Sequence, residues 1–149
     1  MDHRIAEVTA NKKSYLDLLL LADEQEDMID RYLDDGRMFA LDDEGVKCIA
    51  VVVALNDEEC ELKNIATYPQ HQGKGYGRAM VFHLFEHFLG PFKTMYVGTG
   101  DAPGILRFYK NCGFQPSHRK RNFFVDNYDH PIIEEGVRLR DMVYLRKDA

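Results

Sequence analysis

Three glycines and two cations crowd into Gln72-Gly73-Lys74-Gly75-Tyr76-Gly77-Arg78, between an apolar run and a long amphipathic segment. Upstream, Leu62-Lys63-Asn64-Ile65-Ala66-Thr67-Tyr68-Pro69 reads as a strand ended by proline. Downstream, apolar residues recur at Met80, Val81, Leu84, Phe85, Phe88 and Leu89, a spacing that predicts a helix with one buried face. Glycines let a backbone turn tightly with its N–H groups facing outward. The first N–H groups of a helix have no partner inside it, and the dipole makes that end positive. The order strand, glycine loop, helix start therefore builds a site for a phosphate or pyrophosphate. Arg78 falls in the first helical turn, where a cation is unfavourable unless an anion is near. Lys74 reads equally as a phosphate contact and as a solvated lysine.

Two familiar phosphate loops do not fit. A P-loop needs G-x-x-x-x-G-K-S/T, but five residues before Gly73 stands Tyr68, and Gly75 follows Lys74. A dinucleotide loop needs G-x-G-x-x-G, and the last glycine of that frame is Arg78 counted from Gly73 or Met80 counted from Gly75. What is met is Q/R-x-x-G-x-G/A, through Gln72, Gly75 and Gly77. This segment resembles the coenzyme A pyrophosphate loop of the GNAT superfamily of N-acetyltransferases. A second block agrees. Lys93-Thr94-Met95-Tyr96-Val97-Gly98-Thr99 reads as a strand, and Phe108-Tyr109-x-x-x-Gly113-Phe114 resembles the family's F-Y-x-x-x-G-F element. There a short helix ends at the glycine, which suits the left-handed cap conformation. Residues 122–128, 132–137 and 141–145 are similar to a bacterial subgroup of small acetyltransferases with mostly unassigned acceptors. The resemblance covers residues 46–145, and residues 1–45 match in general layout.

The resemblance implies acetyl-CoA as co-substrate, a primary amine of a small molecule or peptide as acceptor, and no metal. Gln72, Gly73, Lys74, Gly75, Tyr76, Gly77 and Arg78 would hold the pyrophosphate. The backbone of Ile65, Ala66 and Thr67 would meet the pantetheine amides, and Tyr109 would border the coenzyme A sulfur. Tyr109 would also protonate the departing thiolate, a role a phenol can fill when its proton is aimed at the forming charge. Glu61 is the implied base; Glu59, two residues earlier and on the same strand face, is the competitor, and bulk water is a third option. The family often bonds pantetheine with an asparagine seven residues before the tyrosine; here that position is Ala102. Two other functions fit parts of the pattern. A non-catalytic acyl-CoA-binding sensor could share the fold, since fold does not dictate function. A nucleotide-dependent phosphotransferase is disfavoured by the missing Ser/Thr after Lys74.

These residues need a scaffold. Strands are expected at residues 5–8, 37–41, 46–55, 60–68, 93–99, 114–125 and 139–145, and helices at 14–22 (Ser14 as N-cap), 27–33, 75–89 and 105–113. Strands linked through helices imply a partly parallel sheet. The expected fold is α/β (α+β), a single acetyltransferase domain over residues 1–149, with a mixed central sheet flanked by helices. In the resembled family its central strands splay apart and the pantetheine arm enters between them.

Composition sets the remaining bounds. Hydrophobic residues make up 45% of the chain, enough for one core. No apolar run reaches the length of a membrane span, and Met1-Asp2-His3-Arg4 lacks a signal-peptide pattern. Three scattered cysteines, Cys48, Cys60 and Cys112, suggest neither a disulfide scaffold nor a zinc site, so a reducing cytoplasm is expected. Net charge is −6, which argues against nucleic acid as partner. The acidic residues of 23–35 and 42–44 read as a solubilising surface or as an attraction for a cationic amine. His83 and His87 have an i, i+4 spacing without a third ligand, and read as a solvated helix face. Dimers are common in the resembled family, and a homodimer is compatible with the sequence.

Overall fold

The structure is a computed structural model describing residues 4–149. Met1-Asp2-His3, part of the segment without a signal-peptide pattern, lies outside the described residues. Strand β1 (Arg4–Val8) leads through a 3-10 turn into α1 (Leu16–Ala22) and α2 (Glu26–Asp30). Then follow β2 (Arg37–Asp42), β3 (Val46–Ala54), β4 (Glu59–Thr67), α3 (Tyr76–Phe88), β5 (Thr94–Gly100) and α4 (Pro103–Cys112). The chain closes with β6 (Gln115–Lys120), α5 (Phe123–Asn127), the short strands β7 (Ile133–Glu134) and β8 (Val137–Arg138), and β9 (Met142–Asp148). No helix among the described residues is long and apolar enough to cross a membrane.

Seven strands form one mixed sheet in the order β1-β2-β3-β4-β5-β9-β6. Every neighbouring pair is antiparallel except β4 and β5. Both faces are covered, which is why β3 is almost wholly apolar. Its Cys48, Ala50 and Val52 pack on α3 residues such as Met80 and Leu84. Its Ile49 and Val51 pack on Leu18, Leu19 and Ile29 from α1 and α2. The predicted α3 face is the buried one: Met80, Val81, Leu84 and Phe88 all lie in the core.

Two irregularities on β4 open the centre of the sheet. Asn64 pairs with Val51 but Leu62 pairs with Val52, so Lys63 is an extra residue, a β-bulge. Before the bulge, Cys60 and Leu62 point toward α3; after it Ile65 does, and Asn64 and Ala66 turn toward α1 and α2. The parallel pairing of β4 with β5 also stops early, at Leu62 and Val97. Beyond it the strands part, as expected for splayed central strands, and the β5-facing edge of residues 63–67 has no ladder partner.

The ends differ from the sequence reading. Ser14 does not cap a helix; the chain makes a 3-10 turn at Lys12–Tyr15, and α1 begins at Leu16. Lys12 Nζ instead donates to the carbonyls of Leu33 and Gly36, at 2.9 and 2.6 Å, tying this turn to the segment after α2. The strand expected over 114–125 ends at Lys120, and Asn122 at φ 56° turns the chain into α5. There Phe124 is buried with Ile132 and Leu139 in a small separate cluster, so helix burial rather than alternation explains the aromatics. The strand expected over 139–145 runs instead over Met142–Asp148. Between them β7 and β8 form a hairpin whose two loop residues, Glu135 and Gly136, both have positive φ, as a two-residue turn of the primed type requires.

Candidate active site

The glycine loop is an open cradle. Gly73 and Gly75 have φ of 76° and 88°, and a Cβ at either position would meet nothing within 4 Å. Both glycines therefore serve conformation and approach rather than packing. Gly75 is the N-cap of α3, and no side chain caps that helix. Its first amide N–H groups are left for an outside acceptor, at the positive end of the dipole. Gly77 has another job: a Cβ there would lie 3.3 Å from the Phe108 ring, so this glycine lets α3 pack against α4. Gln72 donates from Nε2 to the Thr67 carbonyl at 3.2 Å and fastens the loop to the end of β4. Tyr76 is buried, and its hydroxyl donates to Asp43 Oδ2 at 2.6 Å. Lys74 is exposed, and the Arg78 guanidinium lies 5.2 Å from the centre of the Phe82 ring.

A cleft of about 440 Å³ opens where β4 and β5 part. Ile65, Ala66, Thr67 and Gln72 border it on one side, Gly98, Thr99 and Gly100 on the other, and Phe108 and Tyr109 of α4 close the floor. Tyr109 is only 5% exposed and packs edge-on against Phe108 and Phe114. Burial, with the thiols of Cys112 and Cys48 nearby, pushes its phenol far above the ordinary value. The group is therefore protonated across the physiological range and available as a donor.

Glu61 and Glu59 are placed differently from Tyr109. Glu61 is 7% exposed, lies 3.4 Å from Lys63 Nζ, and is not among the described residues bordering the cleft. Glu59 accepts from Asn56 Nδ2 and from the Tyr96 hydroxyl, both at 2.8 Å, and the Asn56 bond leads in holding its carboxyl below the usual range. His83 and His87 stack on each other and pack edge-on against Phe39. No group of three side chains among the described residues is arranged to hold a metal.

A carboxylate that sequence reasoning did not single out borders the cleft. Asp23, just past α1, accepts from the Tyr128 hydroxyl at 2.6 Å and from the Tyr32 hydroxyl at 3.3 Å. Burial raises its carboxyl even so, outweighing those two bonds. Asn64 donates to Tyr32 Oη at 3.1 Å and to the Leu19 carbonyl at 3.0 Å, extending the network into β4. Tyr128 is 105 residues from Asp23, so no spacing rule could pair them. Glu135 was missed for the same reason. Both its oxygens accept from Gly104 N at 3.1 Å, capping α4 where Ala102 cannot.

Known proteins share this chain's sequence pattern and architecture. A family model described as an acetyltransferase (GNAT) domain matches residues 34–116. A Bacillus subtilis (strain 168) protein, the uncharacterized N-acetyltransferase YvbK, is 35% identical over 136 residues, covering 89% of this chain and 87% of that protein. A GNAT family acetyltransferase from Elizabethkingia anophelis, solved with acetyl-CoA bound, is 31% identical with a TM-score of 0.88, over 99% of this chain and 98% of that one. A Bacillus subtilis acetyltransferase solved in complex with CoA is 31% identical with a TM-score of 0.90, over 99% of each chain.

Proposed function

The chain belongs to the GNAT family of acetyltransferases and is an acyltransferase, and on that premise we propose that it moves an acetyl group from acetyl-CoA to the primary amine of a small molecule or peptide. The observation that carries this reading is the parting of β4 from β5 beside Tyr109, with the uncapped start of α3 following that same end of β4. The residues suit coenzyme A. The open cradle at Gly73 and Gly75 admits a pyrophosphate close to backbone N–H groups, with Gln72, Lys74, Tyr76, Gly77 and Arg78 around it. The free β4 edge at Ile65, Ala66 and Thr67 offers N–H and C=O groups to the pantetheine amides.

Acetyl-CoA supplies an activated thioester and a thiolate leaving group. The protein's part is to bind, orient and move protons. A free N–H on the β4 edge polarises the carbonyl, the role of an oxyanion hole. Tyr109 gives its phenolic proton to the departing sulfur. Glu61 takes the proton of the incoming amine, through water because its carboxylate does not border the cleft. The direct test combines two measurements: coenzyme A should raise the melting temperature, and a primary amine should trigger thiol release from acetyl-CoA. Stabilisation without thiol release for any amine would favour an acyl-CoA-binding sensor. No stabilisation would overturn the reading.

A further inference from the structure

The polar lining of the cleft is unbalanced. Among the described residues four carboxylates border it, Asp23, Glu24, Glu134 and Glu135, against one cation, Lys63. Lys63 is already engaged, 3.4 Å from Glu61 and 5.8 Å from the centre of the Tyr32 ring. Glu24 faces His130 Nε2 at 3.7 Å, and Glu135 is occupied by Gly104 N. Asp23 accepts from two neutral phenols, and its charge, like that of Glu134, has no ion-pair partner among the described residues; burial raises the carboxyls of both. A second observation is independent of these charges. Asn64 borders the cleft, is 3% exposed, and its Oδ1 has no hydrogen-bond partner among the described residues. A buried carbonyl oxygen without a donor is costly to leave so. The unmatched groups are thus all acceptors, and they call for a ligand that only donates.

The nucleophile cannot be that ligand group. An amine attacking a thioester must be neutral, whereas an amine held between carboxylates is kept as ammonium. Resting on the N-acetyltransferase reading, we propose that the acceptor carries a second amine that stays protonated, and that Asp23, Glu134 and Asn64 Oδ1 bind it. The substrate class is then a linear diamine or polyamine. One nitrogen docks as ammonium at this acidic end while the other, neutral, reaches the thioester. Phe124 and Tyr128, stacked with ring centres 5.6 Å apart, supply apolar wall for the methylene chain between.

The probes are 1,4-diaminobutane, butylamine and 4-aminobutanoate, which share a four-carbon chain and differ in charge at the far end. Each is assayed for coenzyme A release at saturating acetyl-CoA, so that the reacting nitrogen lies at the thioester and only the far end can reach the acidic groups. The diamine should give a kcat/KM about tenfold above that of butylamine, with 4-aminobutanoate lowest, the size expected of one desolvated charge contact. Asp23→Asn should cut the diamine value more than the butylamine value and so reduce that preference. Glu134→Gln, on the hairpin, should reduce it in part and serves if Asp23→Asn does not fold. Equal kcat/KM for diamine and butylamine in the wild type, a higher value for 4-aminobutanoate, or equal losses for diamine and butylamine in both variants would overturn the proposal. Failure of coenzyme A to bind, or of every amine to release it, would instead bring down the acetyltransferase reading, and this inference with it.

Discussion

The two ends of the cleft are built by opposite means. The proposed phosphate end is one contiguous stretch, residues 72–78, and what it offers is backbone amides that glycine geometry leaves uncovered. The acidic end is assembled from side chains just past α1, α2 and α5, on β4 and on the β7–β8 hairpin, brought together across as many as 105 residues. Backbone recognition suits a ligand shared across a family, because it does not depend on which side chains surround it. Side-chain recognition suits a ligand particular to one member. The contrast teaches where to look for each property: co-substrate use in the loop, acceptor choice in the assembled network.

The largest expected effect tests the backbone end. Coenzyme A at a hundredfold over its dissociation constant should stabilise the protein by about 2.7 kcal/mol. Gly75→Val places a branched side chain in the cradle and should lose all of that stabilisation. Its positive φ also costs roughly 1–2 kcal/mol for a residue with a Cβ, so the unliganded variant should melt earlier. Asp23→Asn should keep the full coenzyme A shift. A normal shift in Gly75→Val would break the division at its root.

Next in size is the residue between the two ends. Tyr109→Phe keeps the ring packed against Phe108 and Phe114 and removes only the donor. Turnover should fall on the order of 10²-fold with little change in coenzyme A affinity. Undiminished turnover, with chemistry shown to limit the rate, would contradict the role.

A smaller effect sharpens the acidic end. Tyr128→Phe removes the 2.6 Å bond to Asp23, a hydrogen bond to a charged acceptor worth roughly 1.5 kcal/mol of stability. Acceptor KM should rise as Asp23 loses its anchor, and the coenzyme A shift should stay the same. A change in coenzyme A binding instead would mean the two ends are not separable.

The smallest effect concerns pH. Burial raises the Asp23 carboxyl in the folded protein, so the folded state binds its proton more tightly than the unfolded chain does. Asp23 thus favours folding most fully below the unfolded aspartate value. That contribution is lost as pH rises through the raised value. In urea melts across this window, Asp23→Asn should gain stability relative to wild type as pH increases. The opposite trend would mean that the two phenol bonds outweigh burial.

The loop, the α3 stripe and the Gly113 cap, at φ 112°, were legible because each expresses a rule acting over a few residues. The near-continuous apolar run of β3 likewise announces two covered faces. The Asp23–Tyr128 pairing and the Glu135 cap were not legible, because each joins segments whose proximity exists only once the sheet has formed. The chain after Lys120 departs from its sequence reading because Phe123, Phe124 and Val125 suit a strand by composition. A left-handed Asn122 and the burial of Phe124 against Leu139 decide for a helix.

The bulge at Lys63 has a consequence for how this gene can change. Lys63 stands outside the pairing, so removing its codon would leave Leu62 opposite Val52 and Asn64 opposite Val51, and every later side chain of β4 would keep its face. What would go is the local bend and twist of the strand where it leaves β5. A codon lost anywhere else in β4 would instead turn all the residues after it over, sending Asn64 into the hydrocarbon around Met80 and Ile65 onto Tyr32. The strand thus tolerates a change of length at one position alone, and there the cost falls on the cleft rather than on the core.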